Sequence, residues 1–225
     1  MSAIKAILFD MDDTLIDDTG SFRLSMQRLC GEFEPRFDFE RLSAAYDGRS
    51  VPFWPAGDLR EMRLQLWRKA LDDCGYEPSL AEAVLESYIR HRTATCAAID
   101  GTSRVLESLR GSYHLGVVTN GGRDLQQPRL EATGLAGYFD AMVCSSDIDA
   151  GKPDARIFEH ALRALGIEAG EAWHIGDGLA SDVGGALGAG LTAVWFNAKG
   201  RQREAHHPTP SHEITSLDEV WALLP

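Results

Sequence analysis

Hydrophobic and polar positions follow two regimes along this chain. Ile4 to Phe9 is a short, mostly apolar run of strand formers, too short for a helix, and reads as a strand buried on both faces. The spacing then turns helical for about eighty residues. Phe22, Met26, Leu29, Cys30 and Phe33 form one stripe, and Leu59, Met62, Leu66, Ala70, Leu71 and Cys74 a second, stopped by Gly75 as its cap. A third helix covers Leu80 to Arg92 with Ser79 as its amino-terminal cap. Between the first two lies GRSVPFWPAGD, whose prolines and glycines mean a loop.

From Thr102 onward the pattern alternates. Strands are predicted at His114 to Val118, Ala141 to Cys144, Ala172 to Ile175 and Thr192 to Phe196. Helices are predicted at Thr102 to Arg110, Asp124 to Thr133, Pro153 to Leu165 and Asp182 to Ala189, with a short one at Ser216 to Leu224. Pro153 fits a first helical position and Gly166 the residue past the end. Such alternation gives an α/β fold, a parallel sheet with helices on both faces. The core is then assigned to residues 1–16 and 100–225, and 17–99 to an inserted helical unit. Asp17 to Gly20 and Ile99 to Gly101 are its expected hinges.

The predicted strands end in residues that can do chemistry. The first ends in Asp10-Met11-Asp12-Asp13-Thr14, at the edge where open α/β sheets collect ligands. If the backbone stays extended, Asp10 and Asp12 point the same way, and two close carboxylates repel unless a proton or a cation intervenes. That suits a metal-assisted reaction with one carboxylate as nucleophile and the other as proton carrier, although an acidic turn is a common feature of its own. Thr119-Asn120-Gly121-Gly122 offers hydroxyl, amide and backbone donors to a phosphate, although a plain glycine-rich turn explains it as well. Lys152, placed before a helix start, suits an anion. Asp177 sits at a strand end near Asp10, and Asp182 falls in a first helical turn, where it also serves the helix dipole. Oxygen-only ligands on a compact site favour Mg2+.

Bulk properties narrow the partners. The 225 residues are 44% hydrophobic and 25% charged, as in an ordinary globule. A net charge of −12 leaves no basic field for nucleic acid, and any anionic substrate must be held by a local cluster of cations. No stretch has the length of a membrane span and the start MSAIKAILFD has no long apolar region, so a cytoplasmic protein is expected. Cys30, Cys74, Cys96 and Cys144 are scattered and read as reduced thiols, and His206-His207 as a solvated loop pair.

In order and spacing, Phe9-Asp10-Met11-Asp12-Asp13-Thr14, Val118-Thr119-Asn120, Lys152-Pro153 and Gly176-Asp177 to Asp182 resemble the four motifs of the haloacid dehalogenase-like superfamily. The resemblance spans the whole chain and implies a Rossmann-like core of sheet order 5-4-1-2-3 under a helical cap. Members that cleave carbon–halogen bonds generally lack the second aspartate, so Asp12 argues for phosphoryl transfer. The run Leu125 to Glu131 and Val194-Trp195-Phe196-Asn197 are similar to the nucleotide 5′-monophosphatases and acylneuraminate phosphatases of that group, apart from Pro128 inside a helix.

The resemblance implies Mg2+-dependent hydrolysis of a small phosphorylated metabolite, such as a nucleoside monophosphate or sugar phosphate, with a phosphomutase or a non-catalytic member as alternatives. Asp10 would be the nucleophile and Asp12 the proton carrier. Thr119, Asn120 and Lys152 would bind the phosphate. The metal would take the Asp10 carboxylate, the Asp12 carbonyl and Asp177, with Asp182 direct or through water. Specificity is expected from the loop bearing Arg49, Phe53 and Trp54, with seam packing the plainer account of Trp54. Oligomeric state is not legible.

Overall fold

The structure, a computed structural model, describes residues 3–46, 48 and 51–224. Six parallel strands form one sheet: β1 (Ala6–Phe9), β2 (His114–Thr119), β3 (Ala141–Cys144), β4 (Ala172–Gly176), β5 (Thr192–Phe196) and β6 (His212–Ile214). Their order is β3-β2-β1-β4-β5-β6. Read from the other edge, the first five keep the expected 5-4-1-2-3 order. β6 extends it past β5, and three residues are too few to show a periodicity.

Alternate residues of each strand feed opposite cores, as a two-faced sheet requires. Ile7 and Phe9 join Val117, Ile175, Val194 and Phe196 on one face. Ala6 and Leu8 join Val118, Val143, Ala193 and Trp195 on the other.

Among the described residues, four α-helices stand between β1 and the helix that precedes β2: α1 (Asp18–Glu32), α2 (Phe39–Ala45), α3 (Leu59–Asp73) and α4 (Ala81–Ala94), then α5 (Thr102–Leu109). The rest are α6 (Arg123–Ala132), α7 (Ser145–Ile148), α8 (Ala155–Leu165), α9 (Gly185–Gly188) and α10 (Val220–Leu223). The segment α1–α4 has a core of its own. Trp67 stacks on Tyr46 at 4.0 Å between ring centroids and meets Tyr88 edge-on at 5.2 Å. Leu125 of α6 is the one buried residue from outside residues 22–88 that joins this cluster among the described residues. The two chain crossings run side by side: Asp17 N–H donates to the Ala97 carbonyl (3.0 Å) and Ile99 N–H to that of Leu15 (2.9 Å). No helix of the described residues is long and apolar enough to cross a membrane.

Several local expectations differ from the structure. Asp18 to Gly20, within the expected hinge, form the first turn of α1, capped by the Asp17 carboxylate. Ser79 lies in a 3₁₀ turn (Pro78–Leu80) and caps nothing. α8 starts at Ala155 with Asp154 as its cap, so Lys152 stands three residues ahead of the helix, and the Lys152–Pro153 peptide bond is cis. Asp182 lies in a π-helical turn (Leu179–Gly184), not in a first α-helical turn. Pro128 is accommodated inside α6.

One glycine fixes how closely α9 approaches the strand-end loop carrying Lys152. A Cβ on Gly185 would stand 2.9 Å from Pro153 Cα and 2.7 Å from the Phe158 ring. Backbone cannot yield cheaply there, so Gly185→Ala is expected to cost about 1–3 kcal/mol of stability. A denaturant midpoint equal to that of the unsubstituted protein would refute this close approach.

Candidate active site

β1 lies at the centre of the sheet, where the strand order reverses, and ends in Asp10. The ladder continues one residue past the strand, Asp10 N–H donating to the Ile175 carbonyl (2.9 Å), which aims the carboxylate over the sheet's carboxyl edge. Lys152 comes in from the loop after α7. Its ammonium donates to Asp10 Oδ1 and, at 2.6 Å, to Asp182 Oδ1. All three side chains are buried. Burial alone would depress the lysine, but Asp10 and Asp182 outweigh it and hold the ammonium above its ordinary value.

The two aspartates answer that charge differently. Burial pushes Asp10 well up; Lys152 opposes the shift, while Asp182 and Asp12 add to it. Burial acts on Asp182 too, but Lys152 and His174 hold it well below the usual carboxylate range. Four donors saturate Asp182: Lys152 and His174 Nε2 (2.9 Å) on Oδ1, Gly178 N–H and the Ser181 hydroxyl (both 3.0 Å) on Oδ2. Burial lowers His174 from its ordinary value, and because the Asp182 carboxylate only accepts, the Nε2 facing it donates.

Asp10, Asp177 and Asp182 each present an oxygen within 4.8 Å of the others, the one such group of potential metal ligands among the described residues. Asp177 is pushed up to about 6, by burial first and then by Asp182. Arg201, from the loop after β5, reaches Asp177 Oδ2 at 3.1 Å. A compact all-oxygen set in which burial holds Asp10 and Asp177 above the usual carboxylate range fits a small hard cation such as Mg2+.

Asp12 does not share a partner with Asp10. Its Oδ1 accepts from Arg129 (2.8 Å) and its Oδ2 from Gln126 (2.6 Å), both on α6. Just after Asp12, Asp13 takes a left-handed backbone (φ 54°), its carboxylate accepting from the Thr19 N–H (2.9 Å) and hydroxyl (2.6 Å). The chain turns only after Asp12, and the Asp10 and Asp12 carboxylates line the same cavity while meeting different partners.

A family model described as haloacid dehalogenase-like hydrolase matches residues 4–190. The chain belongs to that family. It is 31% identical to the pyrimidine 5′-nucleotidase YjjG of Escherichia coli, the match covering 97% of this chain and 96% of that protein. It is 30% identical to N-acylneuraminate-9-phosphatase of Mus musculus, over 100% and 95% of the two chains. Its fold matches that of the magnesium-bound HAD-hydrolase YfnB of Bacillus subtilis with a TM-score of 0.79, at 24% identity and 99% coverage of both chains.

Of the residues assigned from the haloacid dehalogenase-like motifs, Asp10, Asp12, Thr119, Asn120, Lys152, Asp177 and Asp182 all line one cavity of about 230 Å³. Asn120 sits there differently from expectation. Its amide oxygen accepts from Lys152 N–H (2.7 Å) and its NH2 donates to the carbonyls of Lys152 (2.9 Å) and Pro52 (2.8 Å). The side chain therefore clamps the lysine's backbone and is not directed at a phosphate. Thr119 Oγ1 accepts from Gln126 (2.9 Å) and Gly121 N–H (3.1 Å), leaving its own proton to donate.

A second cavity of about 230 Å³ adjoins the first, with Asp12, Asp18 and Asn120 lining both. Trp54 and Tyr88 border it, and the buried Arg63 guanidinium lies 3.9 Å over the Trp54 ring while pairing with Asp124 (2.8 Å). Trp54 thus lines a cavity and packs the seam at once. Phe53 packs on Gly151 instead, and Arg49 lies outside the described residues.

His174, Gln126 and Arg129 have no role in the sequence reading. Their signal is polarity where burial is expected: a histidine inside a buried strand, and two polar side chains three apart beside Leu125 and Leu130.

The raised Asp177 sets a pH dependence. With a folded value near 6 against an ordinary 3.8, the unfolded state loses this proton first as pH rises. Asp177 therefore costs the metal-free protein stability progressively from pH 4 to 6, fully above 6. In EDTA, Asp177→Asn should melt higher than the unsubstituted protein at pH 7.5, and the gap should close toward pH 4. A gap independent of pH would disprove the shift.

Proposed function

We propose that this chain is a Mg2+-dependent phosphomonoester hydrolase that acts on a small phosphorylated metabolite through an aspartyl-phosphate on Asp10. The observation that carries this reading is Asp10 held against the buried Lys152 ammonium at the sheet's carboxyl edge, with Asp12 lining the junction of two adjoining cavities. The nucleotidase and the sugar-acid phosphatase among its relatives support a phosphate ester as substrate and a nucleoside monophosphate or sugar phosphate as its class. Residues 17–99 would act as the cap that selects the leaving group, with residues 1–16 and 100–225 as the catalytic core.

Asp10 attacks phosphorus in line with the ester oxygen, and the P–O ester bond breaks as the Asp10–P bond forms. Asp12 gives its proton to the departing alkoxide. It then takes one from the water that attacks phosphorus, which frees inorganic phosphate and restores Asp10. Lys152 and the Thr119 hydroxyl bind the transferring oxygens. Asn120 keeps the lysine in place through its backbone. Asp10, Asp177 and the Asp12 carbonyl would hold Mg2+, with Asp182, already saturated by donors, contributing charge through water. When bound, the ion neutralises charge on the phosphoryl group and on Asp10.

Asp10→Asn should reduce turnover by about 10³-fold or more without unfolding the protein. Activity within tenfold of the original, in protein free of deamidation, would exclude Asp10 as nucleophile. Chelation should abolish activity and Mg2+ restore it, whereas Ca2+, which takes more ligands at longer distances, should not. Full activity in exhaustive EDTA contradicts the metal assignment. Asp12→Asn should slow cleavage of an alkyl phosphate far more than first-turnover release of p-nitrophenol, whose anion leaves without a proton. Assays on a panel of phosphorylated metabolites, scored for both phosphate and isomerised product, test the reaction class.

A further inference from the structure

Asp12 reaches the helical unit through one side chain. Arg129, only 1% exposed, donates one terminal nitrogen to Asp12 Oδ1 (2.8 Å) and the other to Asp18 Oδ1 (2.7 Å), in the first turn of α1. The same Asp18 oxygen accepts from Arg92 of α4, whose other terminal nitrogen donates to the Ser21 hydroxyl (2.9 Å). Gln126, 2% exposed and one turn before Arg129, completes the hold. Its amide NH2 donates to Asp12 Oδ2 (2.6 Å) and Thr119 Oγ1 (2.9 Å), and its oxygen accepts from Arg129 (2.6 Å).

The Asp12 side chain is about a third exposed, at 35%, so packing alone does not fix its rotamer. The guanidinium does. It is planar, permanently charged and forked, so its two ends set the Asp12 and Asp18 carboxylates at one separation. A lysine ammonium is a point charge on a flexible stem and cannot fix that separation.

We infer that Arg129 is a positioning residue for Asp12, and that through Asp18 it makes the placement of Asp12 depend on the seating of α1 and α4. The inference rests on the reading of Asp12 as proton carrier. Arg129 bonds to none of Asp10, Asp177 and Asp182 in the hydrogen bonds described and meets Asp12 at its carboxylate, not at the carbonyl assigned to the metal, so its main effect falls on proton transfer; its one link toward the phosphate side runs through Gln126 to Thr119.

The test uses single-turnover cleavage of glycerol 2-phosphate and p-nitrophenyl phosphate by Arg129→Lys and Arg129→Met, with and without Asp12→Asn. Both variants should slow the alkyl ester about 10–100-fold, the usual loss when a supporting contact is removed, and slow nitrophenol release by less than about fivefold. Added to Asp12→Asn, Arg129→Lys should cost less than about twofold more, because the group it positions is already gone. Asp18→Asn should shift the alkyl-to-aryl ratio in the same direction. The rise in melting temperature on adding Mg2+ should be unchanged in Arg129→Lys.

Equal slowing of both esters, or an undiminished further loss in the Asp12→Asn background, overturns the positioning role. An unchanged ester ratio in Asp18→Asn overturns the tie to α1 and α4. If Asp12→Asn alone slows both esters equally, the proton-carrier reading has failed and this inference with it, a pattern distinct from either result above. Should Arg129→Met fail to fold, Arg129→Lys keeps the buried charge and decides the matter.

Discussion

The ammonium of Lys152, buried between Asp10 and Asp182, is the interaction on which the rest of the site depends. Two opposite charges about 4 Å apart attract by about 4 kcal/mol at an effective dielectric near 20, and like charges at that distance repel equally. Asp10, Asp177 and Asp182 crowd their oxygens within 4.8 Å, so without a cation the cluster would have to take up protons. The lysine helps hold Asp182 well below its ordinary value but leaves both Asp10 and Asp177 raised, which is where a metal ion would add most. Its own position is secured at both ends, by Asn120 on its backbone and by α9, which only a glycine at position 185 allows so near Pro153.

Polar contacts hold the seam between the helical unit and the sheet. Arg63 of α3 pairs with Asp124 of α6, Arg129 spans Asp12 and Asp18, and the Trp54 N–H donates to the Asn120 carbonyl and the Ser145 hydroxyl. The apolar cluster of α1–α4 is closed on itself apart from Leu125. A seam of this kind leaves room for cavities lined by charge, and two of them meet there beside Asp12. The sheet side and the helical side thus share a few side chains of α6.

The alternation of strand and helix, the parallel order of the first five strands and the residues at the strand ends were all legible in the sequence. The alternation and the strand-end residues rest on local periodicity, the strand order on the resemblance to the haloacid dehalogenase-like motifs: β3 and β5 span the predicted residues, and Asp10, Thr119 and Asp177 stand at or just beyond the ends of β1, β2 and β4. Asp12 and Lys152 were legible as charges in unusual places. The partners of those charges were not. His174 meets Asp182 across a π-helical turn, Asn120 clamps the backbone of Lys152 32 positions along, and Arg129 finds Asp12 117 positions away in the chain. Spacing reports which face a residue occupies, whereas these contacts form only where the sheet order and the fold of α1–α4 bring separate loops together. The sequence by itself therefore determined which groups could react; the tertiary structure decided which cation each carboxylate faces, because electrostatic pairing depends on distance through space and not on distance along the chain.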